Sequence, residues 1–393
     1  MKVVAVLGGG PAGAMAAAKL ASGGIETVLL DEKLAWEKPC GGGLTWKAYD
    51  RYPFLLDNSV PKRFVTHTGL DDPRSGRAMI RLSRPLVIYS RKELNALLLD
   101  RAAAMGARLF KERVQGLKRS ACGGWTVQTR TGPFSADYVI VAMGARNPLK
   151  EFGSEFAPGD TMTALGYHVD TPQSHIDLQF FPRFEGYSWI FPRCGRASVG
   201  IGGKGESAQS MRRRLEHWMD HRGLPYANAH FYAHMIPALE PGSWANNRVS
   251  GEGWMAAGDA AGLVDPVTGE GIYYAMRSGE MAAETLLDSS IPLVNKHLAY
   301  RESLRREIMD ELEAGSRLAP KLYLRPFLFS GMTARMIQFI RHSPAVSEVM
   351  QNLFAGTQSY CDLKACLVAR ARRAAVEIMQ SVVLRRRLVE DVK

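Results

Sequence analysis

The N-terminal part of the chain alternates apolar runs with small residues in a way that predicts a β-α-β unit. Residues 3–7 (VVAVL) are wholly apolar, as in a strand buried on both faces of a parallel sheet. The small residues that follow (AMAAAKLASGG) predict a short helix ending at a glycine pair. Thr27–Leu30 predicts the second strand, and buried strands of the same type are expected at 138–143 and 254–257.

Helix starts and alternating patterns organise the middle of the chain. Ser90-x-x-Glu93 fits a capping box, which predicts a helix over RKELNALLLDRAAAM. Short strands are expected around 107–117 and 124–130, and a helix over 272–287.

The remaining segments differ from this pattern. Alternation with many aromatic residues between about 150 and 250 predicts an antiparallel sheet. From 291 onward the chain is mostly helical, with Pro320, Pro326 and Pro344 expected to separate helices.

The expected fold class is α/β, with a Rossmann-like cofactor-binding domain, an inserted antiparallel-sheet substrate domain and a helical C-terminal region. The expected domains are 1–60, 90–147 and 251–290 for cofactor binding, 61–89 and 148–250 for substrate, and 291–393 for the helical region.

A glycine motif directly after the first strand is the strongest chemical signal. In Gly8-x-Gly10-x-x-Gly13, the first glycine permits a tight turn, the second lets a pyrophosphate approach, and the third lets the helix lie close to the sheet. Asp31, at the end of the second strand, is placed to accept hydrogen bonds from an adenosine ribose. A glycine-rich turn with no ligand is the alternative.

A second glycine motif favours FAD over NAD as the dinucleotide. Gly258-Asp259 follows a predicted buried strand, and its carboxylate can bind the ribityl hydroxyls of a flavin. The turn through Gly269 and Gly271 would place a helix N-terminus, near Ile272, against the flavin, where it stabilises negative charge by about 1 kcal/mol. The Rossmann-like domain is therefore predicted to be an FAD-binding domain.

Two of these assignments have plainer alternatives. Arg91, in the first turn of its capped helix, is a candidate contact for the pyrophosphate or ribityl chain, but it also fits a surface arginine. Asp259 also fits an N-cap of the following helix.

Composition and charge restrict the class of protein. Of 393 residues, 46% are hydrophobic and 23% charged, which excludes wholesale disorder. Five cysteines without CxxC spacing, together with an N-terminus unlike a signal peptide, favour a reducing cytoplasm, and the histidines form no metal-binding motif. The net charge is +11, and residues 291–393 carry 17 Lys and Arg against 10 Asp and Glu. We expect an anionic partner or a solvated basic surface, and no nucleic acid.

Several stretches together resemble a known family. GGGPAG, Asp31, Arg91 and GDAAGLVDPVTGEGI are similar to the aromatic-hydroxylase-type flavoproteins, whose fold is that of p-hydroxybenzoate hydroxylase. Within that group, KPCGGGL (38–44), GYSWIFPR (186–193) and LFAGTQSYCDLK (353–364) resemble the geranylgeranyl reductases.

The resemblance implies a flavin-dependent reductase that saturates C=C bonds of a geranylgeranyl or polyprenyl chain by hydride transfer from FADH2. The implied substrate is a polyprenyl lipid or prenyl diphosphate, and the electron donor is NADPH or ferredoxin, with neither favoured. The FAD-contacting positions that it implies are Ala12, Asp31, Cys40, Gly41, Gly43, Arg91, Val114, Asp259, Gly271 and Ile272.

One residue departs from the family pattern. The aromatic motif usually ends in Lys, and here that position is Arg193. If this residue meets a phosphate headgroup, the headgroup differs from that of other members, because Arg and Lys are not equivalent at an anion site. The acid Asp31 is also followed by Glu32, where a basic residue is common.

Three residues are the expected catalytic set: Cys40, Tyr187 and Trp189. On a strand, Tyr187, Trp189 and Phe191 point to one face, which suits a prenyl chain or, alternatively, an ordinary sheet core. A cysteine thiol is largely protonated at pH 7, so Cys40 is a candidate proton donor. Cys40 also fits a small buried side chain, a residue that contacts FAD only through its backbone, or half of a redox pair with Cys194.

The C-terminal region and the function each keep open alternatives. Apolar stretches mixed with Arg373 and Arg385–Arg387 suit a helix on an anionic membrane, or helices that pack on the two domains over a substrate tunnel. The protein is accordingly expected in the cytoplasm, either free or peripheral at the inner face of the membrane. An FAD-dependent monooxygenase or halogenase and a flavin- or lipid-binding carrier are the alternative functions.

Overall fold

Two large sheets and a C-terminal group of helices make up the computed structural model, which describes the backbone of residues 1–121 and 123–390 and the side chains of all of these except 382–390. Cys122 and the side chains of Arg385–Arg387 therefore lie outside the described part.

The strands, in chain order, are β1 (Val3–Leu7), β2 (Glu26–Leu30), β3 (Gly43–Leu44), β4 (Lys62–Asp72), β5 (Gly76–Tyr89), β6 (Arg108–Phe110), β7 (Val114–Arg119), β8 (Trp125–Thr129), β9 (Pro133–Ala136), β10 (Tyr138–Val141), β11 (Thr161–Val169), β12 (Ile176–Phe180), β13 (Glu185–Pro192), β14 (Ala197–Lys204), β15 (His230–Pro237), β16 (Ser250–Gly251), β17 (Trp254–Ala256), β18 (Pro326–Phe327) and β19 (Ser330–Gly331). The helices are α1 (Pro11–Ser22), α2 (Trp46–Arg51), α3 (Arg91–Ala104), α4 (Ala208–His221), α5 (Ile272–Leu287), α6 (Lys296–Leu304), α7 (Asp310–Leu324), α8 (Met332–His342), α9 (Pro344–Ala355) and α10 (Tyr360–Glu390).

The first sheet is the predicted Rossmann-like sheet. Its strand order is β16-β17-β10-β1-β2-β6, and every neighbouring pair from β17 to β6 is parallel. Strands β1 and β2 are parallel neighbours, and α1 connects them along the chain. The predicted β-α-β unit is therefore confirmed. A Cβ on Gly13 would lie 1.9 Å from the carbonyl oxygen of Gly8, so this glycine lets α1 approach the preceding loop.

The second sheet has eight strands in the order β15-β11-β14-β13-β12-β4-β5-β3, and all of its pairs are antiparallel except β12 with β4. The hairpin β4–β5 comes from the segment 61–89. The short strand β3 comes from within 1–60, so the loop before it passes from the first sheet to the second. Strands β7–β9 form a separate three-stranded sheet.

Opposite faces of the second sheet have different coverings. One face packs on α4, with Leu215 and Met219 fully buried in that core. The other face is covered by α7, α8 and α9, which contribute Tyr323, Ile337 and partly buried Met350 to a second core. Because α7–α9 close over this face, they form the roof of an interior space beside β12 and β13.

The prediction that Pro320 separates two helices is wrong, since it lies inside α7. Proline in a helix interior costs about 3 kcal/mol. Its neighbours Ala319 and Tyr323 are buried against the second sheet, and the Tyr323 hydroxyl donates to the Val267 carbonyl at 2.6 Å. Packing of this face thus outweighs the local preference. Pro326 and Pro344 do begin new elements.

We compared the length and apolar character of each helix with what a membrane span requires. Among the residues described, no helix combines the length and the apolar character that a bilayer span requires.

Candidate functional site

A cleft of about 770 Å³ opens at the carboxyl ends of the parallel strands β1, β2, β10 and β17. Ligands of open α/β sheets bind at this edge, because the loops and helix N-termini meet there. The predicted residues that line it are Gly10, Ala12, Asp31, Cys40, Arg91, Gly258, Asp259, Gly269, Gly271 and Ile272.

The glycine loop after β1 has the shape that the sequence predicts. Gly8 has φ of +109°, and a Cβ there would lie 2.3 Å from the Ala142 carbonyl oxygen, so only glycine fits. Gly10 differs, because it has φ of −72° and an added Cβ would meet nothing within 4 Å. The backbone and the protein packing therefore do not require glycine at position 10. The space beside it faces the cleft, where a pyrophosphate would lie.

Asp31 has a structural task in addition to the predicted one. Its carboxylate accepts hydrogen bonds from the backbone N–H groups of Gly9 and Lys33, both at 2.7 Å. A carboxylate has roughly four lone-pair sites, so Asp31 can hold the glycine loop and still accept from a ribose.

Polar atoms without partners line the same cleft. Arg91 is buried, and its Nε has no hydrogen-bond partner. Buried Nδ1 of His168 and Nε2 of His234 are also unpartnered. Burial, with nearby positive charge, lowers the pKa of each histidine to about 4, so both are neutral at pH 7. Unsatisfied buried polar atoms are costly, so this lining fits a large polar ligand such as FAD.

Asp259 is held in place by Lys38. The Lys38 Nζ lies 2.9 Å from Asp259 Oδ2. Burial alone would raise the pKa of Asp259, but the charge and hydrogen bond of Lys38 outweigh it and lower that pKa. Asp259 is therefore ionised and available as an acceptor for ribityl hydroxyls.

A second cavity of about 730 Å³ lies between the second sheet and the C-terminal helices, and its lining is almost wholly apolar. Tyr187, Trp189 and Phe191 of β13 all line it, whereas Ile190 points into the core under α4. The prediction that these three aromatic side chains share one face is confirmed. The Tyr187 hydroxyl donates to the Thr268 carbonyl, which fastens the glycine turn to this wall.

The cleft and the apolar cavity meet at one junction. The residues that line both are Pro39, Cys40, Tyr232, Ile236, Gly269, Gly271 and Ile272. Helix α5 begins at Ile272, so its N–H groups and the positive end of its dipole face this junction. A flavin ring in the cleft would therefore contact both the helix N-terminus and the apolar cavity.

An ion pair between buried Arg193 and partly buried Glu37 holds the loop that carries Cys40. Arg193 Nη1 lies 2.6 Å from Glu37 Oε1, and Arg193 also donates to the Cys40 carbonyl. Burial alone would raise the pKa of Glu37, but Arg193 and a hydrogen bond from Ser90 lower it to about 2. The stabilisation from ionised Glu37 is thus fully present above pH 4.5, the ordinary pKa of a glutamate, and is lost progressively as the pH falls from there to about 2.

This geometry corrects the expectation for Arg193. Its side chain is buried and paired inside the protein, so it does not meet a phosphate headgroup of a substrate. The replacement of Lys by Arg instead gives the Cys40 loop a planar group that donates to two acceptors at once. The predicted Ser90 cap of α3 is confirmed, since its hydroxyl accepts from the Glu93 N–H, and Glu37 accepts from the neighbouring Arg91 N–H at 3.1 Å.

Other predicted site residues lie elsewhere. Gly41 and Gly43 line the apolar cavity against the Phe191 ring and do not line the cleft. Val114 does not line the cleft, because its side chain is buried in the core, although the adjacent Arg113 does line it. Cys40 and Cys194 are free thiols, and the exposed Cys194 lines neither space, so the redox pair is absent between these two residues.

Sequence reasoning missed several residues of the site. Glu270 lies between two predicted glycines, and Lys38 lies two residues before Cys40, so position in a motif could have flagged both. Burial raises the pKa of Glu270 to about 7. Asp265 lines the cavity and accepts from the Tyr360 hydroxyl at 2.8 Å, a contact that joins distant parts of the chain and has no local signal.

Comparison with known proteins first defines the class. Residues 75–281 match the family model "FAD dependent oxidoreductase". The protein is an FAD-dependent oxidoreductase, and FAD is its cofactor. The solved structure of a geranylgeranyl bacteriochlorophyll reductase-like protein from Thermoplasma acidophilum has the same fold, with a TM-score of 0.76, 21% identity, and 95% and 99% of the two chains covered.

Curated relatives then define the family. A geranylgeranyl diphosphate reductase of Arabidopsis thaliana is 30% identical over 73% of this chain, which spans 66% of that relative's length. A menaquinone reductase of Mycobacterium tuberculosis is 30% identical over 73% of this chain and 76% of its own. The chain belongs to the geranylgeranyl reductase family.

Gly10→Ala tests the cleft as the cofactor site. Because an added Cβ at position 10 meets no protein atom, the variant is expected to unfold at the same temperature as wild type when both are free of FAD. Its affinity for FAD is expected to fall on the order of 100-fold, since the methyl group takes space that the pyrophosphate needs. Titration of FAD by fluorescence measures this. Gly242→Ala, also in open space but outside the cleft, is the control. Equal FAD affinity of both variants would refute the assignment.

Arg193→Met tests the ion pair under the Cys40 loop. The variant leaves the partly exposed Glu37 carboxylate without its cation, which is expected to lower the free energy of unfolding by about 1–3 kcal/mol. Adding Glu37→Gln is expected to restore part of this loss. The control is Arg108→Met, from an exposed pair with Glu26, with a change of about 0.5 kcal/mol. Denaturant unfolding gives the values, and similar losses for Arg193 and Arg108 would contradict the structural role.

Proposed function

We propose that the protein saturates C=C bonds of a polyprenyl chain, with the chain in the apolar cavity and Cys40 as the proton donor. The observation that carries this proposal is the junction at Cys40 and Gly269–Ile272, where the apolar cavity opens onto the FAD cleft. A hydrocarbon chain is the ligand that a lining of this kind favours, because it offers few polar partners.

The chemistry of saturation assigns tasks to the residues at the junction. Reduced FAD, when bound, supplies a hydride equivalent to one alkene carbon, so the alkene is reduced and the cofactor oxidised. The Cys40 thiol gives the proton to the other carbon. The Gly42 N–H lies 3.3 Å from Cys40 Sγ and would stabilise the thiolate that remains. NADPH or a ferredoxin is the proposed source of electrons for the next cycle.

Water exclusion and charge stabilisation come from fixed parts of the protein. The aromatic side chains of Tyr187, Trp189 and Phe191 line the apolar cavity beside the junction and offer water few polar partners there, which would protect the transferable hydride. The N-terminus of α5 favours the negative charge that develops on a reduced flavin. Tyr187 and Trp189 are thus proposed to position the chain and not to exchange protons with it. Burial holds the pKa of Tyr187 above its usual range, so its hydroxyl stays neutral.

A monooxygenase or halogenase is the alternative, and it is supported by fold alone. The flavin-dependent brominase Bmp2 covers 94% of this chain with a TM-score of 0.69 at 16% identity. Likeness at that level says nothing about the reaction, whereas the apolar cavity at the junction favours a hydrocarbon substrate.

The proposed reaction predicts a defined product without oxygen. FAD-loaded protein, reduced with dithionite under anaerobic conditions, is expected to convert geranylgeranyl diphosphate or a geranylgeranyl lipid to products heavier by two hydrogens per double bond, with stoichiometric flavin reoxidation. Mass spectrometry and flavin absorbance measure both. If every prenyl compound stays unsaturated while the flavin stays reduced, or if oxygen and halide give hydroxylated or halogenated products, the proposal is wrong.

Cys40 at the junction and Glu270 in the adjoining cavity wall are two acids whose roles can be separated by mutation. Cys40→Ser is expected to slow single-turnover reduction on the order of 100-fold, because a hydroxyl is a far weaker acid than a thiol. Glu270→Gln is expected to leave that rate nearly unchanged at pH 6. In wild type, KM is expected to rise above pH 7, where Glu270 ionises in the cavity wall, and the Gln variant is expected to lack this rise. A slow Glu270→Gln beside a fast Cys40→Ser would transfer the role of acid to Glu270.

A further inference from the structure

The hairpin β18–β19 places two large apolar side chains at an exposed tip. Phe327 pairs with Ser330, and Leu328 and Phe329 form the turn between them. Phe329 is fully exposed, and Leu328 is more than half exposed. Solvent exposure of two adjacent large apolar residues is unfavourable unless another phase or partner receives them.

The backbone of this tip holds an unusual conformation. Leu328 and Phe329 have φ of +47° and +65°, in the left-handed region that two-residue hairpin turns require and that Gly, Asn or Asp usually occupy. Arg335 Nε donates to the Leu328 carbonyl at 2.9 Å and fastens the turn to α8. The turn is therefore held in a defined conformation, although Leu and Phe are residues that rarely adopt positive φ.

The base of the hairpin belongs to the wall of the apolar cavity. Phe327 lines that cavity, and its ring lies edge-on to Phe339, which lines it as well. Leu367 of α10 also lines the cavity. Phe327 and Leu367 are both exposed, so they mark a mouth through which the cavity reaches the surface. The exposed tip and this mouth are thus parts of one apolar surface.

The segment that contains the tip carries charge of one sign, and the nearby Asp72 is paired with Arg74. Residues 314–347 contain no Asp or Glu, and their basic residues are Arg317, Lys321, Arg325, Arg335 and Arg341. Among the residues that the structure describes, Lys321, Arg325 and Arg341 take part in no ion pair, whereas Arg317 pairs with Glu313. Exposed aromatic and aliphatic side chains in a segment with unpaired basic residues match the interface of a bilayer that carries anionic headgroups.

We propose that the tip Leu328–Phe329 inserts into an anionic lipid bilayer and places the mouth of the apolar cavity against the membrane. Membrane insertion itself does not depend on the proposed function. Only its purpose does, which is to let a lipid substrate pass from the bilayer to the cavity without crossing water. A protein partner or a second copy of the chain is the competing occupant. The bilayer is favoured because an apolar tip, an apolar cavity and a segment with unpaired basic residues belong to the same part of the protein.

Vesicle flotation of the full-length, FAD-loaded protein tests this. Wild type is expected to float with vesicles of phosphatidylcholine mixed with phosphatidylglycerol, to bind phosphatidylcholine alone more weakly, and to dissociate as salt is raised. Phe329→Ser is expected to weaken partitioning about tenfold, because one aromatic side chain no longer enters the bilayer. Phe64→Ser, at an exposed phenylalanine of β4, is the matched control and should bind as wild type.

Three results would overturn the inference. They are a wild-type protein that does not float, equal binding by Phe329→Ser and wild type, and equal loss in Phe329→Ser and Phe64→Ser. A wild-type dimer that Phe329→Ser converts to a monomer, without any vesicle binding, would assign the tip to self-association instead. Reduction of detergent-dispersed geranylgeranyl diphosphate by Phe329→Ser should match wild type. Failure of that reduction in wild type, with flotation intact, would refute the proposed function and leave this inference standing.

Discussion

The ion pair between partly buried Glu37 and buried Arg193 is the constraint on which the rest of the site depends. It fixes the loop from the first sheet to the second, and that loop carries Cys40 to the junction of the two cavities. Removing either partner is destabilising, because the other loses its charge-assisted hydrogen bond in a partly buried place. The pair also ties the loop to α3, since Glu37 accepts from Ser90 and the Arg91 N–H. The same ion pair therefore supports both Arg91, which lines the cofactor cleft, and Cys40, which lines the cleft and the apolar cavity.

The cleft is polar and the second cavity is apolar, so each suits a different reactant. The cleft is lined by unpartnered polar atoms, a lysine-bound carboxylate and a helix N-terminus, all of which suit a charged, hydroxyl-rich cofactor. The second cavity is lined almost wholly by carbon. A ring placed where they meet would face a preorganised polar environment on one side and hydrocarbon on the other. That division suits hydride transfer to an unactivated alkene, which needs a dry site and stabilised cofactor charge.

Local signals predicted the parts of the structure that local physics determines. The wholly apolar strands, the glycine loop at Gly8–Gly13, the Ser90 cap and the helix over 272–287 all follow from nearby residues, and the structure has them. The aromatic face of β13 followed from the two-residue period of a strand. The resemblance to geranylgeranyl reductases rested on the motifs around Cys40 and Trp189, which the fold brings to one cavity.

What the sequence could not show depends on distant contacts. Pro320 stays inside α7 because Ala319 and Tyr323 pack on the second sheet, which no local pattern reports. Arg193 looked like a headgroup ligand because its partner Glu37 lies 156 positions away in sequence. Val114 was transferred from the family pattern, but its strand turns that side chain into the core.

The most direct test of the central claim is a crystal structure of the FAD-loaded protein with a bound geranylgeranyl lipid. The account predicts the isoalloxazine ring between Cys40 and the α5 N-terminus, with the prenyl chain along the Tyr187–Phe191 face and an alkene carbon in contact with the ring. A chain bound outside the apolar cavity, or a ring that does not reach the junction, would contradict it.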